Sequence, residues 1–140
     1  EHLPHPENRV TLSPDQTDDW GMPLLQVRCE HKENELSMIK DMLQTGPEML
    51  EAAGFRDITA WDAEENPGMG IHEMGTARMG RDPDSSVLNA FNQIHAAPNV
   101  FVTDGAAMAS SSWQNPSLTY MALTARAANH AIAELKAGNL

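Results

Sequence analysis

Apolar positions along this chain follow first a two-residue period, then a helical one, and over a long central stretch neither. Asn8-Arg-Val-Thr-Leu12 alternates polar and apolar residues and reads as a short strand. Ser13-Pro-Asp-Gln16 is turn chemistry, and Leu24 to Cys29, entered after Gly21-Met-Pro23, is a second strand. Two strands joined by a polar loop suggest part of an antiparallel sheet. From Asn34 to Ala53, Leu36, Ile39, Leu43, Leu50 and Ala53 recur at helical spacing. Asn34 or Ser37 can cap the start, and Gly54 sits where a terminating glycine belongs. Gly46-Pro47 interrupts the run and predicts a kink or two shorter helices. Phe55 to Ala60 has the composition of another short strand.

The middle of the chain is loop-like, with Asn66-Pro-Gly68 and Gly70 followed by a glycine-bearing stretch to residue 92 with little periodicity. A loop of that length in a compact domain is either disordered or functional. Asn99-Val-Phe-Val-Thr103 then forms a compact apolar strand, expected to be buried and to end at Asp104-Gly105. The last element is the clearest. Leu118, Met121, Ala122, Ala125, Ala128, Ile132 and Leu135 form a helical stripe rich in small residues, with Asn115 at the N-cap, Pro116 at the first helical position and Gly138 past the end. The expected fold class is α+β, with a sheet-and-helix part over residues 1–67 and a loop, strand and helix over residues 68–140. Neither part contains an internal repeat or a low-complexity tract.

Composition narrows the function classes. The 140 residues suit one modest domain, and 41% hydrophobic content is ordinary for a globular protein. A net charge of −11 disfavours phosphate backbones and anionic lipid, so neither nucleic acid nor a membrane surface is an expected partner. The nine methionines read as adaptable packing residues. One cysteine, Cys29, excludes an intramolecular disulfide framework and a multi-cysteine zinc site. The first residues lack the basic and apolar regions of a signal peptide, and no apolar run is long enough to span a bilayer. The compartment stays open, with a soluble protein of bacterial cytoplasm or periplasm as the expectation.

Of the histidines, His72 lies in the glycine-flanked loop between Gly70 and Gly75, where an ordinary loop histidine is one reading. His2 and His5 form an H-x-x-H pair without further ligands nearby in sequence, so no metal is expected. His31 and His130 read as solvated and His95 as structural. Ser110-Ser-Ser112 is not a nucleophile elbow.

Two segments carry a family resemblance. Gly70-Ile-His-Glu-Met-Gly-Thr-Ala-Arg-Met-Gly80, followed by Asp82-Pro-Asp84 and Val87-Leu-Asn89, is the first. Asn99-Val-Phe-Val-Thr-Asp-Gly-Ala106, continuing through Ser110-Ser-Ser112 to Asn115-Pro-Ser-Leu-Thr119, is the second. In this order they closely resemble the glucose–methanol–choline (GMC) oxidoreductases. Asn8-Arg-Val-Thr-Leu12 extends the likeness loosely into the first half. The pattern is most similar to bacterial sugar and sugar-acid dehydrogenases and pyranose oxidases. Asn115-Pro116 points the same way, because other branches carry histidine at that asparagine. The family's glycine-rich dinucleotide fingerprint is absent, so the resemblance implies a C-terminal piece of a longer chain.

The resemblance implies FAD as cofactor, an alcohol or sugar as substrate, and the N-terminal FAD-binding part of the same protein as structural partner. Oxidising a CH–OH group needs a base for the hydroxyl proton, a role histidine side chains suit in general, and the resemblance points to His72. Asn115 is implied to hydrogen-bond the substrate oxygen beside His72, although Asn before Pro is also a good helix start. Asp104 and Gly105 are implied to lie by the ribityl and phosphate groups, the alternative being a plain turn. Asn115, Pro116 and Ser117 present the start of the last helix, whose free N–H groups form an anion site, to the pyrimidine edge of the flavin. A flavin-dependent lyase on the same scaffold and a non-catalytic assembly or recognition domain remain as alternatives.

Overall fold

The computed structural model describes residues 2–140. Strand β1 (Arg9–Thr17) pairs antiparallel with β2 (Pro23–Arg28), setting Arg9 opposite Arg28, Val10 opposite Val27 and Leu12 opposite Leu25. Ser13-Pro-Asp-Gln16 does not end the first strand, as its composition suggests, but makes an irregularity within it. The register slips between Leu12 and Thr17, where Ser13 Oγ accepts the Gln16 N–H at 3.1 Å and donates to Asp15 Oδ1 at 3.0 Å. The reversal comes later, where Asp18 Oδ1 accepts the N–H groups of Trp20 and Met22 at 2.9 Å each.

Helix α1 (Glu33–Ala52) is one continuous element, and Pro47 lies inside it. Gly46 has no Cβ to collide with the proline ring, which removes the usual conflict at the residue before proline. Neither Asn34 nor Ser37 starts the helix. Lys32 occupies the N-cap and its N–H is taken by the Glu35 carboxylate at 2.9 Å. The end is a glycine stop as the sequence suggests, with Gly54 at φ +94° and Phe55 N–H donating to Leu50 C=O at 3.1 Å. Phe55 to Ala60 does not form a strand. Residues from Ile58 to Ala63 instead run beside α1 and, with Ile39, Leu43 and Leu50, line an apolar groove.

In the second half, β3 (Gln93–Ile94) and β4 (Ala97–Phe101) form a small hairpin. The expected buried strand at Asn99–Thr103 is therefore a largely exposed one that begins two residues earlier. Among the described residues its only strand partner is the two-residue β3. The long loop before it is ordered by its own bonds. Leu88 C=O accepts Gly80 N–H at 2.8 Å, Arg78 C=O accepts Val87 N–H at 3.1 Å, and the Arg78 guanidinium donates to Ser85 C=O. The core sits beneath this loop, where Leu88, Ala107 and Ala127 are sealed from solvent. Asn92, also fully buried, donates to Val102 C=O at 2.9 Å and accepts from the Arg126 guanidinium at 3.3 Å. Its φ of +63° is a conformation asparagine tolerates better than most residues.

Helix α2 (Ser117–Ala137) ends on Gly138 at φ +75°. Its small-residue stripe does not face this core. Leu118, Met121, Ile132 and Leu135 are exposed, and the helix packs inward through Tyr120, Leu123, Ala127, His130 and Ala131. No helix among the described residues is long and apolar enough to cross a membrane.

The molecule exposes 10674 Å², whereas a compact monomer of 15.3 kDa exposes roughly 7,100 Å². The excess includes Trp20, Trp113 and the outer face of α2, an area too apolar to stay uncovered in water. Expressed alone, the 140-residue chain should therefore self-associate. Sedimentation velocity over a concentration series should show a rising weight-average mass; a monomer at every concentration would contradict the exposed surface.

Candidate active site

The loop carrying His72 is drawn tight by the next residue. Glu73 Oε1 accepts the N–H groups of Gly70 at 2.7 Å and Ile71 at 3.1 Å. Ile71, a β-branched residue, is held at φ +60°, where a side chain of that shape is disfavoured by roughly 1–2 kcal/mol. Strain of this kind persists only where surrounding bonds enforce it, and it gathers at working sites. His72 follows directly and is half-buried. Gly75, at φ +88°, turns the chain inward; a Cβ there would sit 3.4 Å from the Met108 carbonyl oxygen.

After Gly75 the loop docks edge-on to the segment following β4. Ala77 N–H donates to Ala106 C=O at 3.0 Å and Met79 N–H to Ala107 C=O at 2.9 Å. That segment is a single 3-10 turn, Gly105–Ala107, capped by Asp104, whose carboxylate accepts Ala106 N–H at 2.9 Å. Gly105 has room for nothing larger. A Cβ on it would lie 2.7 Å from Tyr120 Oη and 3.1 Å from the Glu73 carbonyl oxygen. Tyr120 Oη in turn donates to Met74 Sδ at 3.5 Å, and Thr124 Oγ1 to Thr103 C=O at 3.2 Å. The His72 loop, the Asp104–Gly105 turn and the first turns of α2 thus form one packed unit.

The start of α2 is displaced by one residue from the sequence reading. Pro116, not Asn115, is the cap residue, and Pro116 C=O accepts Tyr120 N–H at 3.0 Å. Pro116 is buried, whereas Asn115 and Ser117 are exposed. Among the described residues the Asn115 amide makes no hydrogen bond, so it is free to meet something else. Beside it opens a cleft of about 400 Å³ lined by Met108, Ser110, Ser112, Asn115, Pro116 and Thr119. No charged side chain lines it, and the first turn of α2 carries no acidic residue. Met108 belongs to both halves, its carbonyl against Gly75 and the residue itself at the cleft wall. No hydrogen bond joins His72 to Asn115.

The family model described as GMC oxidoreductase matches residues 4–124. This chain belongs to the GMC oxidoreductase family. Among its relatives, 2-methyl-1,2-propanediol dehydrogenase of Mycolicibacterium austroafricanum is 37% identical over 130 residues, covering 93% of this chain and 23% of that protein. Paromamine 6'-oxidase of Streptomyces fradiae is 33% identical over 135 residues, covering 94% and 24%. The fructose dehydrogenase large subunit of Gluconobacter japonicus is 34% identical over 140 residues, covering 99% and 25%. The chain spans about a quarter of the length of these relatives.

Within this GMC chain, the sequence pattern pointed to His72, Asp104, Gly105 and Asn115 but missed the residues that hold them, Glu73, Tyr120 and Met108. None of the three lies at a spacing that predicts a contact across the loop. Cys29, at the end of the first hairpin, has its thiol pushed up by burial and then by the nearby Glu73 carboxylate, which makes it a poor nucleophile. Two histidines differ from expectation. His130 is not solvated but stacks on Phe91 with ring centroids 4.0 Å apart. His31 is half-buried, and its Nδ1 is buried without a partner. His95 Nε2 lies 3.1 Å from Ser86 Oγ, a local tie within the loop.

The tightness at Gly105 is testable by itself. Gly105→Ala should destabilise the protein by about 1–3 kcal/mol, the usual cost of overpacking. Adding Tyr120→Phe removes the closest clashing atom and should restore part of the loss. Thermal melts of the single and double variants, in protein made from the complete coding sequence, decide this; equal melting of Gly105→Ala and the parent would refute the close packing.

Proposed function

We propose that this chain is the C-terminal part of an FAD-dependent oxidoreductase that removes a hydride from a CH–OH group of an alcohol or sugar. One observation carries the reading: in a GMC chain, the strained His72 loop is packed on the same turn that leads to the donor-lined cleft of α2. The relatives support it, being named as dehydrogenases of 2-methyl-1,2-propanediol and fructose and as an oxidase of paromamine. Residues 1–67 would belong to the substrate-facing sheet and residues 68–140 to the catalytic loop and cofactor-facing helix. The N-terminal FAD-binding part of the same protein would cover the outer face of α2.

The cleft suits an electron-rich, anionic ring edge. Its hydroxyl and amide groups can donate, no carboxylate opposes a negative charge, and the N–H groups of Ser117 and Leu118 lie ahead of the helix's own bonds. Asn115, Pro116 and Ser117 would meet the pyrimidine edge of FAD, with Gly105 and Asp104 nearer its ribityl and phosphate groups. When bound, FAD supplies the hydride acceptor. His72 takes the proton from the substrate hydroxyl as a neutral imidazole, and as imidazolium it steadies developing alkoxide charge. Asn115 donates its amide N–H to the same oxygen and fixes its direction. Glu73, by clamping Gly70 and Ile71, keeps the imidazole from swinging away.

In protein made from the complete coding sequence, His72→Ala should slow anaerobic flavin reduction by roughly 10²–10⁴-fold, the usual span of a general base, with flavin content retained. An unchanged stopped-flow rate would remove His72 from the mechanism.

Asn115 is tested by Asn115→Asp. The cap position belongs to Pro116, so melting should be unaltered. A carboxylate about 5 Å from developing negative charge, at an effective dielectric of about 20, adds roughly 3 kcal/mol to the barrier. Flavin reduction should therefore fall on the order of 100-fold. Unchanged melting together with an unchanged rate would leave Asn115 without a part in the reaction.

A further inference from the structure

We infer that His2, His5, His31 and Glu35 form a zinc-binding site at the start of helix α1, separate from the reaction. In sequence His2 and His5 lacked further ligands. The fold supplies them. One donor atom from each of His2, His5 and Glu35 lies within 4.8 Å of the others. His5 Nε2 is 3.2 Å from Glu35 Oε2. A tetrahedral zinc with arms of about 2.0–2.1 Å separates its ligands by roughly 3.3 Å, so this pair already spans one edge of such a site.

Glu35 is the unusual member, a carboxylate only 4% exposed. Leu3 N–H donates to its Oε1 at 3.0 Å and Lys32 N–H to its Oε2 at 2.9 Å. These bonds, the one from Leu3 first, hold the acid well below the usual carboxylate range against the opposing effect of burial. Oε1 also accepts from the Asn34 amide at 3.4 Å, which leaves Oε2, with His5 Nε2 beside it, as the oxygen that can face an ion. The carboxylate is therefore held in one position by two backbone N–H groups, as a ligand must be. The Lys32 ammonium does not compete for it, being paired with Glu30 at 2.9 Å.

His31 is not among the three residues whose donor atoms meet within 4.8 Å, and would turn its ring to supply the fourth. Its ring lies 5.2 Å from that of His2, and its buried Nδ1 has no hydrogen-bond partner. A buried polar atom left unpaired costs about 1–3 kcal/mol, a penalty that coordination would relieve. His2 Nε2 lies 3.1 Å from Asn8 Nδ2 and 3.2 Å from the Glu30 carbonyl oxygen, bonding one or the other, which leaves Nδ1 as its donor to an ion. Three imidazoles and one carboxylate are a borderline, nitrogen-rich set suited to zinc rather than to calcium or magnesium. Four protein donors leave no position for substrate, so the ion is structural: it would pin the segment at Leu3 to the beginning of α1 and the foot of the first hairpin.

The test uses untagged protein from the complete coding sequence, stripped with a chelator and dialysed against zinc sulfate. Elemental analysis should find one zinc per chain. His5→Ala, His2→Ala and His31→Ala should each weaken zinc binding by at least 10-fold, about the least that losing a supporting residue costs. Cobalt in place of zinc should give the strong visible bands of a tetrahedral centre, diminished in the same variants. These histidines cap no helix, and circular dichroism of each variant verifies folding. No zinc above buffer in the parent protein, or stoichiometric zinc that survives His5→Ala, would overturn the site.

Discussion

Two backbone hydrogen bonds, Ala77 N–H to Ala106 C=O and Met79 N–H to Ala107 C=O, hold the second half of this molecule together. They bring an aperiodic loop against a single turn of 3-10 helix, and everything else of chemical interest hangs from that seam. Leu88 and Ala107 are sealed beneath it, and Ala127 closes it from α2. The seam requires close approach. Gly105 has no space for a side chain because Tyr120 and Glu73 come so near, and that closeness puts the His72 loop beside the first turns of α2. A glycine in such a motif is readily attributed to a cofactor's approach. Here protein atoms alone are sufficient reason for it.

Hydrophobic burial plays an unusual part. Among the described residues few apolar side chains are buried, Leu88, Ala107, Pro116 and Ala127, while large side chains on both hairpins and both helices stay exposed. The second half is organised mainly by directed polar contacts, such as Asn92 with Val102 and Arg126, and Asp104 with Ala106. Such bonds fix geometry well but contribute little net stability each. The missing stabilisation has to come from surface that this chain presents and does not itself cover. That agrees with its spanning about a quarter of the length of its relatives.

The groups proposed for chemistry and the group proposed for zinc differ in how they are held. Among the described residues the side chains of His72 and Asn115 make no hydrogen bond, His72 half-buried beside the strained Ile71 and Asn115 exposed, which suits side chains that must engage a changing partner. Glu35 is the opposite, buried and bonded by two backbone N–H groups. A fixed carboxylate suits a ligand that stays put. The same chain thus carries adaptable and rigid polar sites, and the difference follows from how many backbone donors each side chain captures.

The sequence by itself determined the elements whose causes are local. The strand pair, the helix stop at Gly54, the long terminal helix and its Gly138 end all depend on residues close in sequence, and the two segments that resemble the family singled out His72, Asp104, Gly105 and Asn115 as candidates. Three matters were beyond local reach. The face of α2 that packs inward was one, because the apolar stripe stays exposed in this chain and the inward face is chosen by Tyr120, Ala127 and His130. The fate of Phe55 to Ala60 and Asn99 to Thr103 was another, since a strand needs a neighbour and periodicity does not supply one. The third was the meeting of His2, His5 and Glu35, and of Glu73 with Gly105. Side chains some thirty residues apart become neighbours only when the chain folds back. Tertiary structure decides such meetings because proximity across a fold is a property of packing, and no spacing along the chain encodes it.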